Sequence, residues 1–151
     1  MMEPVNPASS SPDKPRVGIT IGDPSGIGPE IVLKAVADEE VRALCRPVIV
    51  GDATELKRQA RTLGLASDFP IRLGSDFDFA RLDSPIILDT NCLNEPVKWG
   101  ALSAASGRAA IAAIETCARL CLAGELDAMT TAPINKESLK LAGSPFPGHT
   151  E

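Results

Sequence analysis

The stretch Arg16-Val17-Gly18-Ile19-Thr20-Ile21-Gly22-Asp23-Pro24-Ser25-Gly26-Ile27-Gly28-Pro29-Glu30 decides the fold. Its first six residues form a short apolar, β-branched run, the pattern of a buried strand. Glycines, an aspartate and two prolines follow. Pro29 stands where a first helical turn accepts a residue without an N–H. Ile31, Val32, Leu33, Ala35 and Val36 then continue as a helix.

The same alternation extends along the chain. Pro47–Gly51 reads as a second strand. Asp52 can cap a helix running to about Leu63, which Gly64 ends. Ile71–Leu73 and Ile86–Leu88 are further strand candidates. The longest helix is expected over about Leu102 to Ala123, with Ile111, Ile114, Ala118 and Cys121 on one stripe and Gly124 as its stop. Leu126–Thr131 reads as another strand. A short helix follows from about Lys136, capped by Asn135 and stopped by Gly143. Strands alternating with helices imply right-handed crossovers, hence an α/β fold with a mostly parallel sheet flanked by helices. Residues 1–15, rich in Pro and Ser, read as a disordered leader, and 16–151 as one α/β portion.

Composition sets outer limits. The chain has 151 residues, a formal net charge of −5, 44% hydrophobic and 23% charged residues. This is the balance of a globular chain able to bury a core. Mild acidity argues against nucleic-acid binding, which needs a basic face. No apolar run has the length of a membrane span, and the start lacks an apolar signal core, so a cytoplasmic location is expected. With one Trp, four Phe and no Tyr, the core must be Ile, Leu, Val and Ala. Cys45, Cys92, Cys117 and Cys121 are expected to be reduced. Cys117 and Cys121 sit i,i+4, which suits either small core residues or half of a metal or redox site.

Three segments could carry chemistry, and each is placed for the usual ligand edge of an open α/β sheet. Gly22–Glu30 is either a tight turn with Asp23 as a local cap or a helix start whose free N–H groups face an anion. It lacks the third glycine of the dinucleotide fingerprint and the Gly-Lys-Ser/Thr of a Walker A loop. Thr130–Glu137 offers two hydroxyls and Lys136, either a phosphate or carboxylate site or a capped helix with a solvated lysine. Gly148-His149-Thr150 places the only histidine beside a hydroxyl in a Pro/Gly loop, where both could bind an oxyanion or polarise a carbonyl.

Arg16–Glu30, Thr131–Glu137 and Gly143–Glu151 together resemble the PdxA family of 4-hydroxythreonine-4-phosphate dehydrogenases. The resemblance runs from about Arg16 to the last residue. It implies a fold like that of isocitrate and isopropylmalate dehydrogenases, with two α/β domains about a cleft and a homodimer with sites near the subunit interface. It implies oxidation of 4-phosphooxy-L-threonine by NAD, or sometimes NADP, then loss of CO2 to give 3-amino-2-oxopropyl phosphate. It also implies a divalent cation such as Zn, Mg or Co on the substrate. A paralogous activity on threonate or erythronate 4-phosphate is the alternative, and a non-catalytic remnant the third possibility. Carried over, His149 and Thr150 match the family's substrate-binding pair. The family's three metal-binding histidines fall later than Glu151, so the resemblance assigns no metal, cofactor or catalytic residue here. A sequence that stops inside this loop reads as a truncated gene or fragment, expected to be inactive alone and prone to self-association.

Overall fold

The computed structural model describes residues 14–73 and 77–150. Most of the expected leader lies outside the described residues. Of its end, the Pro15 carbonyl accepts the Arg46 N–H at 2.8 Å.

Five strands form one parallel sheet: β1 (Arg16–Thr20), β2 (Arg46–Gly51), β3 (Ile71–Leu73), β4 (Ile86–Asp89) and β5 (Ala128–Thr131). Their order across the sheet is β3-β4-β2-β1-β5. The helices are α1 (Gly28–Ala37), α2 (Glu39–Leu44), α3 (Ala53–Leu63), α4 (Ala104–Leu122) and α5 (Lys136–Leu141). The α/β class expected from the sequence is the one found.

Side-chain alternation along the strands builds two cores. Ile19 and Ile49 face α1 and α3, joining Val32, Leu33, Val36, Leu56 and Ala60. Val48 and Val50 face α4, joining Ala113, Cys117, Leu120 and Leu126. The result is a sheet covered on both sides, as parallel pairing requires.

The helix ends follow their local chemistry. The Asp52 carboxylate accepts the Glu55 N–H at 3.0 Å, and Gly64 closes α3 in the left-handed conformation. Asn135 accepts the N–H groups of Glu137 and Ser138 at the start of α5. Ser103 caps α4, so that helix begins at Ala104 rather than Leu102. The first helix carries the whole apolar pattern through Val36. It ends at Ala37, and Asp38 caps a second helix by accepting the Glu40 N–H.

One expectation is corrected. The buried stripe of α4 is Ser106, Gly107, Ala109, Ala110, Ala113, Cys117 and Leu120, whereas Ile111, Ile114, Ala118 and Cys121 are only half-buried. The reason is close approach to β1. A Cβ on Gly18 would overlap Cys117 Sγ, so the helix can lie there only with small residues inward. Burial, chiefly, pushes the Cys117 thiol up to about 12, with Cys121 adding to the shift. Cys117 therefore stays a protonated core residue at neutral pH.

Two features give testable consequences. Thr20 is fully buried, and its hydroxyl finds no partner among the described residues. An unsatisfied buried hydroxyl costs about 1–3 kcal/mol. Thr20→Val keeps the branch and removes that group, so it is expected to melt at the same or higher temperature. A loss above about 1 kcal/mol in denaturant titration would contradict this.

Arg16 clasps Asp127 at the start of β5, with Nη2–Oδ1 and Nε–Oδ2 both at 2.9 Å. Its side-chain and backbone hydrogen bonds lower the Asp127 carboxyl to about 2. A depressed carboxyl pKa stabilises fully above the unfolded value and is lost as pH falls through the folded one. The stabilisation is thus expected to fade between about pH 4 and 2. Asp127 is 44% exposed. Screening therefore holds its worth to about 0.2–1 kcal/mol. Asp127→Asn should lose that amount at pH 7 and nothing at pH 2, as read by paired denaturation curves.

Candidate functional site

Parallel pairing puts the carboxyl ends of all five strands on one edge, and the loops leaving β1 and β5 meet there. Thr20 is in register with Thr131. Just past the strand ends, the Asp23 N–H donates to the Pro133 carbonyl at 2.9 Å. Gly22 makes this possible. It has a φ of 69°, and a Cβ there would overlap the Pro133 carbonyl oxygen. Two of the three segments singled out in the sequence are therefore pressed together.

Between them lies a cavity of about 300 Å3, lined by Asp23, Ser25, Gly26, Ile27, Gly100, Ala101, Leu102, Pro133, Ile134 and Asn135. Asp23 and Ser25 are 5% and 6% exposed. Asp23 Oδ1 accepts the Ser25 N–H at 2.7 Å, the local cap anticipated for this turn. Ser25 Oγ pairs with Ser106 Oγ at 2.5 Å, tying the loop to the first turn of α4. Ile27 precedes α1 without giving a side-chain cap.

The third wall had no signal in the sequence reading. It is the irregular run from Asn91 to Leu102, which crosses the edge and contributes Gly100, Ala101 and Leu102. Helix α3 holds it. Asp52 Oδ2 accepts the N–H groups of Cys92 and Leu93. Arg58 donates to the Val97 carbonyl at 3.2 Å and lies over the Trp99 ring at 5.7 Å. Gln59 Nε2 donates to the Pro24 carbonyl at 2.6 Å and to Glu55 Oε1 at 2.7 Å. Finally, the Gly100 N–H donates to the Ser25 carbonyl at 2.8 Å. One polar helix face thus grips both lips of the cavity.

Glu55 is the hub of that face and is 3% exposed. Burial alone would raise its carboxyl. The hydrogen bonds from Arg58 and Gln59 outweigh burial and hold it below the usual range. The available signal was the Glu55, Arg58, Gln59 spacing of i, i+3, i+4, which puts all three on one helix face.

His149 and Thr150 sit elsewhere. Both are exposed on the loop after α5 and do not line this cavity. Partial burial lowers the His149 pKa, so its imidazole is neutral at pH 7. Thr130 and Thr131 are exposed at the end of β5. Lys136 faces a second cavity of about 280 Å3, shared with Glu137, Lys140 and Ser144–Pro147. A larger cavity, about 790 Å3 and lined by residues such as Arg42, Arg46 and Asp83, opens at the amino ends of the strands, away from these segments.

Metal and cofactor fit can be judged from the donors. Among the described residues no group of three or more His, Cys, Asp or Glu could hold a metal ion. No Lys, Arg or His lines the Asp23 cavity, so it offers no cation to a pyrophosphate. Its apolar walls and buried carboxylate do suit an uncharged or cationic ring.

A parallel α/β sheet with a cavity at its carboxyl edge is the architecture of many ligand-binding and dehydrogenase folds. The family model for pyridoxal phosphate biosynthetic protein PdxA matches residues 43–151, and the chain belongs to that family. It is 42% identical over 139 residues to a D-threonate 4-phosphate dehydrogenase of Cupriavidus necator, covering 91% of this chain and 41% of that protein. It is 39% identical over 141 residues to a 4-hydroxythreonine-4-phosphate dehydrogenase of Trichlorobacter lovleyi, covering 91% of this chain and 42% of that one. The crystal structure of a 4-hydroxythreonine-4-phosphate dehydrogenase from Burkholderia phymatum superposes with a TM-score of 0.78 at 37% identity, over 91% of this chain and 42% of that chain. The chain thus spans about two fifths of the length of the relatives it matches.

The grip of α3 is open to test through the single tryptophan. Gln59→Leu frees the Pro24 carbonyl, and Arg58→Met frees Val97 and uncovers Trp99. Acrylamide quenching of Trp99 is expected to rise roughly twofold in Arg58→Met, well below its melting range, because the strap loses its anchor. Glu55, 3% exposed, is left without its cation, so a lower melting point accompanies it. Unchanged quenching in a folded variant would show that α3 does not hold this wall.

Proposed function

We propose that this chain forms one wall of the substrate cleft of an NAD-dependent dehydrogenase acting on a phosphorylated four-carbon hydroxy acid. The membership of residues 43–151 in the PdxA family carries the proposal. The first substrate is 4-phosphooxy-L-threonine, oxidised at its 3-hydroxyl and then decarboxylated to 3-amino-2-oxopropyl phosphate. The second is D-threonate 4-phosphate, favoured by the 42% identity to an enzyme named for it. The two differ in what the substrate carries at its second carbon, an amine or a hydroxyl.

The roles of the chain's own residues rest on the family resemblance. His149 and Thr150 bind substrate oxygens, with the neutral imidazole and the hydroxyl each able to donate one hydrogen bond. Pro145 and Pro147 restrict the loop that carries them, which lowers the entropy lost when it closes on a ligand. When bound, NAD or NADP supplies the hydride acceptor. The divalent cation that the resemblance implies would be held by histidines that it places later than Glu151, and no residue of this chain is assigned to it. A homodimeric assembly and a cytoplasmic location complete the proposal. No helix here is long and apolar enough to cross a membrane.

A segment exchange tests it. Residues 16–151 replace the equivalent part of the Cupriavidus necator enzyme, and NAD reduction is followed with both phosphates. The chimaera is expected to be active on at least one, and the 151-residue chain alone on neither. His149→Ala in the chimaera should lower kcat/KM roughly ten- to a hundredfold, the loss of a hydrogen bond to a charged group at about 1.5–3 kcal/mol. Metal content per subunit should stay unchanged. A folded chimaera inactive on both substrates, unaltered kinetics in His149→Ala, or loss of bound metal would overturn the assignment.

A further inference from the structure

The amino ends of β1, β2 and β4 hold a second concentration of charge, on the edge opposite the ligand loops. The cavity of about 790 Å3 that opens there is lined by cations from three stretches of chain: Lys14 ahead of β1, Arg42 of α2 and Arg46 of β2. Two of these are fixed by backbone carbonyls. Lys14 Nζ donates to the Arg42 carbonyl at 2.8 Å. Arg42 donates through Nη2 to the Ala37 carbonyl at 3.1 Å and through Nε to the Asp38 carbonyl at 3.4 Å. Among the described residues no carboxylate pairs with either. Donors are left over on both, since an ammonium has three N–H groups and a guanidinium five. Cations held this way lose little further entropy on meeting an anion. Glu39 and Asp83, both exposed, complete the charged lining. Carboxylates accept hydrogen bonds and donate none, so they suit hydroxyls and repel a second anionic group. Burial, chiefly, raises the Cys45 thiol against the pull of Lys14, so it adds no negative charge. Among the described residues no aromatic ring lines the cavity, which leaves a nucleobase nothing to stack on. The volume falls within the range of small-molecule sites, about 300–1,000 Å3.

We propose that this cavity binds a phosphorylated sugar or polyol, with the phosphate on Lys14 and Arg42 beside Arg46, and the hydroxyls on Glu39 and Asp83. An arginine fork matches two phosphate oxygens at once, and a lysine adds a point charge. Arg46 is shared, because it also helps to lower the Asp127 carboxyl, so the weight falls on the other two cations. The site owes nothing to the dehydrogenase reading. The full length of the strands separates it from the Asp23 cavity, which makes it a second site. A phosphorylated hydroxy acid would bring its own carboxylate against Glu39 or Asp83, so the substrate proposed for the cleft is disfavoured here.

The test titrates the 151-residue chain with glucose 6-phosphate, watching the backbone amide signals of Ala43, Cys45 and Ser84 by NMR. Saturable shifts confined to this lining are expected. Orthophosphate at the same ionic strength should bind at least roughly tenfold more weakly, and glucose should give no saturation. Arg42→Gln should weaken glucose 6-phosphate at least roughly tenfold. Because Arg42 also caps α1, Lys14→Gln repeats the test on an exposed side chain and leaves that helix end intact. Replacing both exposed carboxylates, Glu39→Ala with Asp83→Ala, should bring the affinities for glucose 6-phosphate and orthophosphate together. Absence of saturable shifts, the same shifts from sodium chloride at equal ionic strength, or equal binding of orthophosphate or 4-phosphooxy-L-threonine would each overturn the site. So would unchanged affinity in folded Arg42→Gln and Lys14→Gln, or shifts at Gly26 and Gly100 in place of Ala43 and Cys45.

Discussion

Everything at the ligand edge depends on the parallel pairing of β1 with both of its neighbours. Thr20 is in register with Val50 on one side and Thr131 on the other. That registry delivers Gly22 and Pro133 to the same height, where the Asp23 N–H reaches the Pro133 carbonyl. A one-residue slip of β5 would turn its side chains to the opposite faces and separate the two loops. The ladder is held from below by the Arg16–Asp127 clasp and from one face by α4, whose small residues let it lie directly on Gly18.

Helix α3 converts this edge into a shaped cavity. Its apolar side, Leu56 and Ala60, joins the core between sheet and α1. Its polar side holds the turn after β1 through Gln59 and the irregular run after β4 through Asp52 and Arg58. Satisfied networks of this kind rigidify, because each partner left alone would be a buried unpaired polar group. The pairing of Glu55 with Arg58 at 2.5 Å is therefore better understood as positioning than as stabilisation, since an apolar pair could serve stability as well.

Much of this was legible in the sequence wherever the signal is local. Asp52, Asn135, Gly64 and Gly143 punctuate helices by chemistry confined to a few residues, and the structure uses them as such. The glycine and proline runs after β1 and β5 stood out for the same reason. What escaped depends on distant partners. The strap from Asn91 to Leu102 has no periodicity, and its course is set by hydrogen bonds from α3. The inward face of α4 is mostly alanine, which a hydrophobic pattern ranks below Ile111 and Ile114, although only small residues fit over Gly18. Asp23 read as a cap, and its bond to Ser25 is one. The cavity it lines also takes in Leu102 and Ile134, residues far off in the chain. His149 and Thr150 were named by resemblance, and they lie on a loop apart from that cavity.

The central claim is that the loops after β1 and β5 and the strap form one ordered wall. Amide hydrogen exchange on the intact chain measures this directly at two N–H groups, Asp23 on the Pro133 carbonyl and Gly100 on the Ser25 carbonyl. Both are predicted to exchange at least roughly tenfold more slowly than unstructured amides and to lose protection together, as members of one cooperative unit do. Exchange of both at unprotected rates, while β2 remains protected, would contradict the account.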